Sequence, residues 1–292
     1  MKTQDFLLEL GTEELPPKLL VKLSSSLKDN IINELKQLNI STSNVIAYAT
    51  PRRLAITIAE LQSKQQDQII EKKGPSVESP DKAIEGFAKS CGVDISELEK
   101  RSLGNKEYYF YKTQEAGKSI QSLLPRVIES SINNIPITRA MKWGNLDYSF
   151  VRPVHWLVMM LDNEVVPAHI MGLESGNTTK GLRSNEDSLL EISHANEYHS
   201  IMLNKAKIEV DFDKRKDIIR QQVLEVAKTK NAEVVIDDSL LDEVCALVEY
   251  PRAFSGTFDK RFLTVPEEAL ISAMKLHQKY FHMVDSKGNL LP

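Results

Sequence analysis

Between Pro16 and Leu38 the apolar residues Leu20, Leu23, Leu27, Ile31, Leu35 and Leu38 recur at steps of three and four. That is the period of a helix with one buried stripe, and Pro16-Pro17 suits its first turn. Phe6 to Leu10 reads as a strand before it. Val45 to Ala49 and Leu54 to Leu61 read as two more strands, joined by the turn Thr50-Pro51-Arg52-Arg53. The opening sixty residues therefore read β-α-β-β.

The polar run Gln62 to Gln68 and the Gly74-Pro75-Ser76 to Ser79-Pro80 stretch are breakers. They divide an N-terminal lobe, 1–62, from a larger α+β region, 63–292. Beyond them the pattern predicts a helix over 81–91, a hairpin through 107–114, a helix over 119–132, strands over 148–161 and 164–171, and helices near 195–204 and over 213–230. Strands and helices mix without regular βαβ alternation, so the expected fold is α+β, a mainly antiparallel sheet with packed helices. Lys279 to Val284 reads as a strand, and a second strand begins at Leu290 as the sequence stops, which predicts a chain truncated at its C-terminal end.

With 292 residues, 41% hydrophobic and 27% charged, the chain can bury a substantial core. Its 37 Lys and Arg against 41 Asp and Glu leave a formal net charge of −4, so a polyanion has to be met by a local basic patch. Cys91 and Cys245 are far apart and fit two reduced thiols of a cytosolic protein. The start, MKTQDFLLELGTEELPP, is neither a signal peptide nor a membrane span, so a cytoplasmic location is expected.

No catalytic motif in the sequence is complete. Gly117-Lys118-Ser119 resembles the end of a P-loop, but the required earlier glycine is Lys112. His194/His199 and His277/His282 are spaced by five, about 140° apart on a helix, so no metal site follows. Gly172 to Gly176 places Glu174 where a nucleophile elbow needs serine, and no His-Asp dipeptide occurs. No catalytic or metal-binding residues are expected, and no cofactor in this chain.

Charge and aromatic residues cluster instead. Arg139 to Trp156 holds Arg139, Lys142 and Arg152 against one acid, Asp147, together with Trp143, Tyr148, Phe150 and Trp156. Cations contact phosphates and flat rings stack on unpaired bases, the mixture an RNA-facing surface requires. Asp213 to Lys230 is an amphipathic stretch with a positive polar side, whereas Glu233 to Glu249 holds six acids and no base, and is expected to face away from phosphates or meet a basic partner. Two adjacent guanidiniums, Arg52 and Arg53, resist joint burial, so at least one is expected to point outward from an exposed turn.

In order along the chain, LLELGTEELPPK (7–18), TPRRL (50–54), KGPS (73–76), MKWG (141–144), FVRPVHWL (150–157), VEYP (248–251) and HQKYF (277–281) resemble the glycine–tRNA ligase β-subunit family. Two segments depart from it: Lys142 stands where the family usually has arginine, and the loop Thr179 to Ser184 carries Leu182 and Ser184 where the family pattern has histidine and phenylalanine. The resemblance implies the N-terminal part of a β subunit, with an HD-like region and an anticodon-binding-type domain beyond it and a part similar to the B3/B4 modules of phenylalanine–tRNA ligase. It also implies a heterotetramer in which the α subunit binds ATP, Mg²⁺ and glycine while the β subunit contributes contacts to glycine tRNA. Candidate RNA-binding residues are Arg52, Arg53, Arg139, Lys142, Arg152 and Arg183. A stand-alone RNA-binding or interaction module, or an editing-type aminoacyl-tRNA hydrolase, are the alternatives.

Overall fold

The computed structural model describes residues 2–104, 106–184 and 189–292. The main elements are β1 (Thr3–Thr12), α1 (Leu20–Gln37), β2 (Val45–Thr50), β3 (Arg53–Gln62), β4 (Gln68–Ser76), α2 (Asp81–Cys91), β5 (Glu99–Leu103), β6 (Lys106–Glu115), α3 (Ile120–Asn133), a strand at Val154–Leu161, α4 (Tyr198–Asn204), α5 (Phe212–Thr229), α6 (Asp238–Cys245) and α7 (Glu267–Ala273). They form two compact units. One comprises Met1–Ser63 with Gln121–Pro292; the other is Lys64–Ile120.

The first unit is built on a seven-stranded sheet in which β1 lies between β3 and Val154–Leu161, both antiparallel to it; β2 extends the sheet beyond β3. One pairing, Leu173–Gly176 with Val154–Leu161, is parallel. The α+β, mainly antiparallel expectation therefore holds. From Phe6 to Thr12 every residue of β1 is buried, because both faces of the strand are covered. Since successive side chains alternate, Phe6, Leu8 and Leu10 line one face and Leu7, Glu9 and Gly11 the other. The second face packs Leu7, Ala55, Val158 and Met160 against Ile192, Tyr198, Ile201, Met202, Ile208 and Val210. Helix α1 packs beside β2 and β3, burying Leu20, Leu23, Leu27, Ile31 and Leu35 as its period predicts. Asn30 Nδ2 donates to the Ser131 carbonyl (2.9 Å) and Ser130 Oγ to Glu34 Oε1 (2.6 Å), which ties α3 alongside α1.

In the second unit β4, β6 and β5 form an antiparallel sheet with α2 packed on it. Here the structure corrects two local expectations. Between the two breaker stretches runs β4, which reaches into the second of them; its Gly74-Pro75 falls where the register slips between Lys73 and Ser76, the position at which a strand tolerates proline. Glu107 to Gln114 is a single strand and not a hairpin; its partners are β4 and β5. In the first unit, the strand expected over 148–161 is interrupted at Val151-Arg152-Pro153, which leaves the short ribbon Met141–Lys142 with Ser149–Phe150 and the long strand from Val154.

Near the C-terminus the expected strand over 279–284 shrinks to Met283–Val284, paired with Glu233–Val234. It is preceded by a π-helical turn, Met274–Gln278, ending on Lys279 in the left-handed region. Among the described residues no helix is long and apolar enough to cross a membrane.

Candidate functional site

An acid buried in the middle of a strand demands donors, and Glu9 on β1 collects four. Its Oε1 accepts from Trp156 Nε1 (2.5 Å) and Thr179 Oγ1 (2.5 Å), and its Oε2 from the Tyr198 hydroxyl (2.5 Å) and Arg53 NH1 (3.5 Å). Glu9, Arg53, Thr179 and Tyr198 are all completely buried. Burial, and then the charge of Glu9, push the Tyr198 hydroxyl well above its usual range, so it stays a donor. Burial opposes the charge on Arg53, but Glu9 and Glu249 outweigh it and hold the guanidinium protonated.

Arg53 continues the network. Nε donates to Thr50 Oγ1 (3.2 Å), and NH2 donates to the Lys180 carbonyl (3.0 Å) and to Glu249 Oε1 (3.3 Å). Arg52, also largely buried, grips the other Glu249 oxygen through Nε (3.3 Å) and NH2 (3.0 Å) and donates to the Gly181 carbonyl (3.0 Å). The Thr50 hydroxyl donates to Glu249 Oε1 (2.8 Å). Burial alone would raise the Glu249 carboxyl, but Arg53, Arg52 and Thr50 bring it below its ordinary value. Nearby, the fully buried Arg215 donates to the carbonyls of Cys245 (3.2 Å), Glu209 (2.6 Å) and Ala49 (2.7 Å), which docks α5 against the end of β2 and the end of α6.

The Trp156 ring lies over Gly11, its register partner on β1. A Cβ at Gly11 would stand 1.8 Å from that ring. The Arg53 guanidinium sits 5.7 Å and the Lys180 ammonium 5.3 Å from the ring centroid, so the indole is flanked by cations.

Five of the sequence segments singled out above thus meet at one place: LLELGTEELPPK through Glu9 and Gly11, TPRRL through Thr50, Arg52 and Arg53, FVRPVHWL through Trp156, the Thr179 loop through the Thr179 hydroxyl and two carbonyls, and VEYP through Glu249. Chemically the cluster is closed. Each carboxylate is filled with donors, and its hydroxyls are committed to acids. It acts as a clamp that fastens the β2–β3 turn, the 179–181 loop and the segment following α6 together.

The exposed Arg52–Arg53 turn is therefore corrected. The turn between two strands exists, but both guanidiniums are drawn inward, because Glu9 and Glu249 supply the counter-charges that make joint burial tolerable. The remaining candidates lie elsewhere. Arg152 is half-buried and donates to the Glu14 carbonyl (3.1 Å) and to that of Val151 (3.0 Å). Arg183, 67% exposed, pairs with Glu13 (3.5 Å) and Glu14 (4.0 Å), and Glu13 also meets His155 (3.1 Å). Lys142, on the short ribbon, is 64% exposed beside Asp147 (3.4 Å). Arg139 is exposed, and among the described residues no ion pair holds it.

The acidic stretch from Glu233 does meet a basic partner, but that partner is this chain itself. Lys216 pairs with Asp242 (2.5 Å), Arg220 with Asp238 (2.7 Å), Lys275 with Asp237 (2.6 Å) and Lys279 with Glu243 (3.0 Å). Gly117 is a glycine because its Cβ would collide with the Gln65 carbonyl, and its N–H donates to Asp67 Oδ1 (2.9 Å). Ligand atoms of Asp5, Asp162 and His194 lie within 4.8 Å of one another. Their lone pairs serve the backbone: Asp162 accepts from Asp5 N (2.8 Å), Asp5 from Glu60 N (3.1 Å), and His194 Nδ1 from Asn196 N (3.3 Å).

Residues 6–292 match the model of the family described as glycyl-tRNA synthetase beta subunit. The chain belongs to this family. Similar proteins include the glycine–tRNA ligase beta subunits of Chromohalobacter salexigens (43% identical over 298 residues), Hahella chejuensis (42% over 299) and Klebsiella pneumoniae (38% over 299). Each alignment covers all of this chain but 43% of the relative, so the chain spans less than half the length of these family members. The family resemblance of the short segments thus extends over nearly the whole sequence.

Sequence reasoning held Glu9, Thr179 and Glu249 only as members of family segments, without a role, and did not single out Tyr198 or Arg215. Glu9 carried a readable signal, an acid at an alternating position inside the apolar run Phe6 to Leu10. Tyr198 and Arg215 carried none.

Proposed function

We propose that this chain is the tRNA-handling front part of a glycine–tRNA ligase β subunit, working in the cytoplasm and assembled with an α subunit that binds ATP, Mg²⁺ and glycine. Family membership supports the enzyme assignment. The closed motif cluster supports the division of labour: it organises the fold and presents no free nucleophile or open carboxylate pair. Contacts to glycine tRNA fall to the exposed cations Arg139, Lys142 and Arg183, while Arg52, Arg53 and Arg152 act by holding the backbone around them.

Filter binding of glycine tRNA to the full αβ enzyme over a salt series tests this. Replacing Arg139 or Lys142 by alanine is expected to reduce the magnitude of the log–log salt slope by about 0.7 to 0.9 for each lost phosphate contact, with folding and α-subunit association intact. An unchanged slope and affinity in both variants would sink the RNA assignment. Loss of α binding instead would move these residues to the subunit interface. The chain without its α subunit is further expected to show no glycine-dependent ATP–pyrophosphate exchange; appreciable exchange would overturn the division of labour.

A further inference from the structure

The unit Lys64–Ile120 carries a surface that the motif cluster does not use. Within it β6 is the middle strand, and α2 covers one face of the sheet, with Ile84 and Ala88 packed among Leu98, Tyr109 and Tyr111. Cross-strand partners share a face, so the register puts Tyr108, Phe110 and Lys112 on the other side, with Glu71 and Lys73 of β4 and Glu99 and Arg101 of β5. Ile69 and Leu103 belong to the same face and are 74% and 56% exposed.

Two flat groups are laid on this face. The Lys73 ammonium stands 3.9 Å from the centroid of the half-buried Tyr108 ring. The Arg101 guanidinium lies 5.4 Å from the Phe110 centroid and is held by Glu71 Oε2 (2.9 Å) and by Glu99 Oε2 (3.2 Å from Nε, 2.5 Å from NH2). Phe110 itself is covered, so the plane presented outward is the guanidinium. Lys112 borders the face, 4.0 Å from Glu71.

We propose that this face is a stacking platform for unpaired RNA nucleotides, an inference that rests on the tRNA-handling reading above and adds a site to it. Lys73, Arg101, Lys112 and Lys106, the partner of Leu103, stand against the two carboxylates that hold Arg101 and leave two net positive charges. That is little attraction for an acidic peptide. Flat bases, in contrast, gain from any aromatic or guanidinium plane whatever their sequence. A base stacking on Tyr108 replaces a solvent-exposed ammonium contact with a stronger one, and the displaced Lys73 then reaches the phosphate of the same nucleotide.

Fluorescence anisotropy of a labelled oligoadenylate of eight nucleotides on the 292-residue chain tests the platform, with a fully paired RNA hairpin as the comparison. Tyr108→Ala is expected to weaken oligoadenylate binding by about tenfold, the effect of losing one stacked base. Tyr108→Phe should stay within about twofold, because the ring and not the hydroxyl stacks. Lys73→Gln should reduce the single-strand salt slope by about 0.7, and hairpin binding should not respond to any of these changes. A folded Tyr108→Ala protein that binds oligoadenylate like the parent overturns the platform, as does a parent that does not bind it or that binds a polyglutamate peptide equally well. If Tyr108→Ala does not fold, Lys73→Gln decides alone. Loss of tRNA binding on substituting Arg139 and Lys142, with the Tyr108 variants neutral, overturns the platform while leaving the tRNA reading; no loss anywhere overturns both.

Discussion

Arg53→Ala is expected to lower stability by about 3–5 kcal/mol in urea unfolding of the 292-residue chain, the range found when one member of a buried ion pair is removed. The guanidinium is fully buried between Glu9 and Glu249, and its loss leaves both carboxylates without their shared counter-charge. The carbonyl of Lys180 and the hydroxyls of Thr50 and Thr179 lose a donor as well. Arg53→Met, which fills part of the volume, is expected to restore little, since Glu9 remains buried without a counter-charge and Glu249 keeps only Arg52. The same arrangement sets an acid dependence. Glu249 is held below its ordinary 4.5 by Arg53, Arg52 and Thr50 against the opposing effect of burial, so its contribution is complete above that value. It is lost as pH falls from about 4.5 through the lower folded-state pKa. Urea midpoints measured downward from pH 6 should fall more gently in the Arg53→Ala protein than in the parent; parallel curves would show that the pair does not couple as described.

Gly11→Ala is expected to cost about as much, although it adds a single methyl group. The Cβ would stand 1.8 Å from the Trp156 ring, deep between two covered faces of the sheet. The indole has to leave, and with it go its hydrogen bond to Glu9 and its contacts with Arg53 and Lys180. Displacing a tryptophan this way resembles truncating it, about 3–5 kcal/mol. The diagnostic measurement is a double-mutant cycle. Trp156→Ala should be costly alone, but Gly11→Ala added to it should cost little, because the space is then free. Additive losses in the double variant would show that the close approach of Gly11 and Trp156 is not what restricts the position.

These two sites also show how far residue patterns reach. The helix over 20–37, the β-α-β-β opening and the antiparallel character were legible because each rests on local periodicity, and apolar stripes three or four residues apart have few ways to be buried. The short family segments were legible as well, as strings. What they are for was not, because Glu9, Thr50, Arg53, Trp156, Thr179 and Glu249 are brought together from across the chain: Glu9 and Arg53 are 44 residues apart, and Thr50 and Glu249 are 199 apart.

The sequence by itself determined the fold class, the family and the absence of a recognisable phosphate cradle motif, all of which follow from spacing along the chain. Only the tertiary structure decided whether a charge is inside or outside. At least one of Arg52 and Arg53 was expected outside because burying two guanidiniums without partners is prohibitive; the sheet register and the segment that follows α6 supply those partners, and burial becomes the stable state. The acids from Glu233 to Glu249 looked like a surface for another molecule until packing set α5 and the 274–279 turn against them. A charge's energy depends on what lies within a few ångströms of it, and that distance is measured through the fold, not along the sequence.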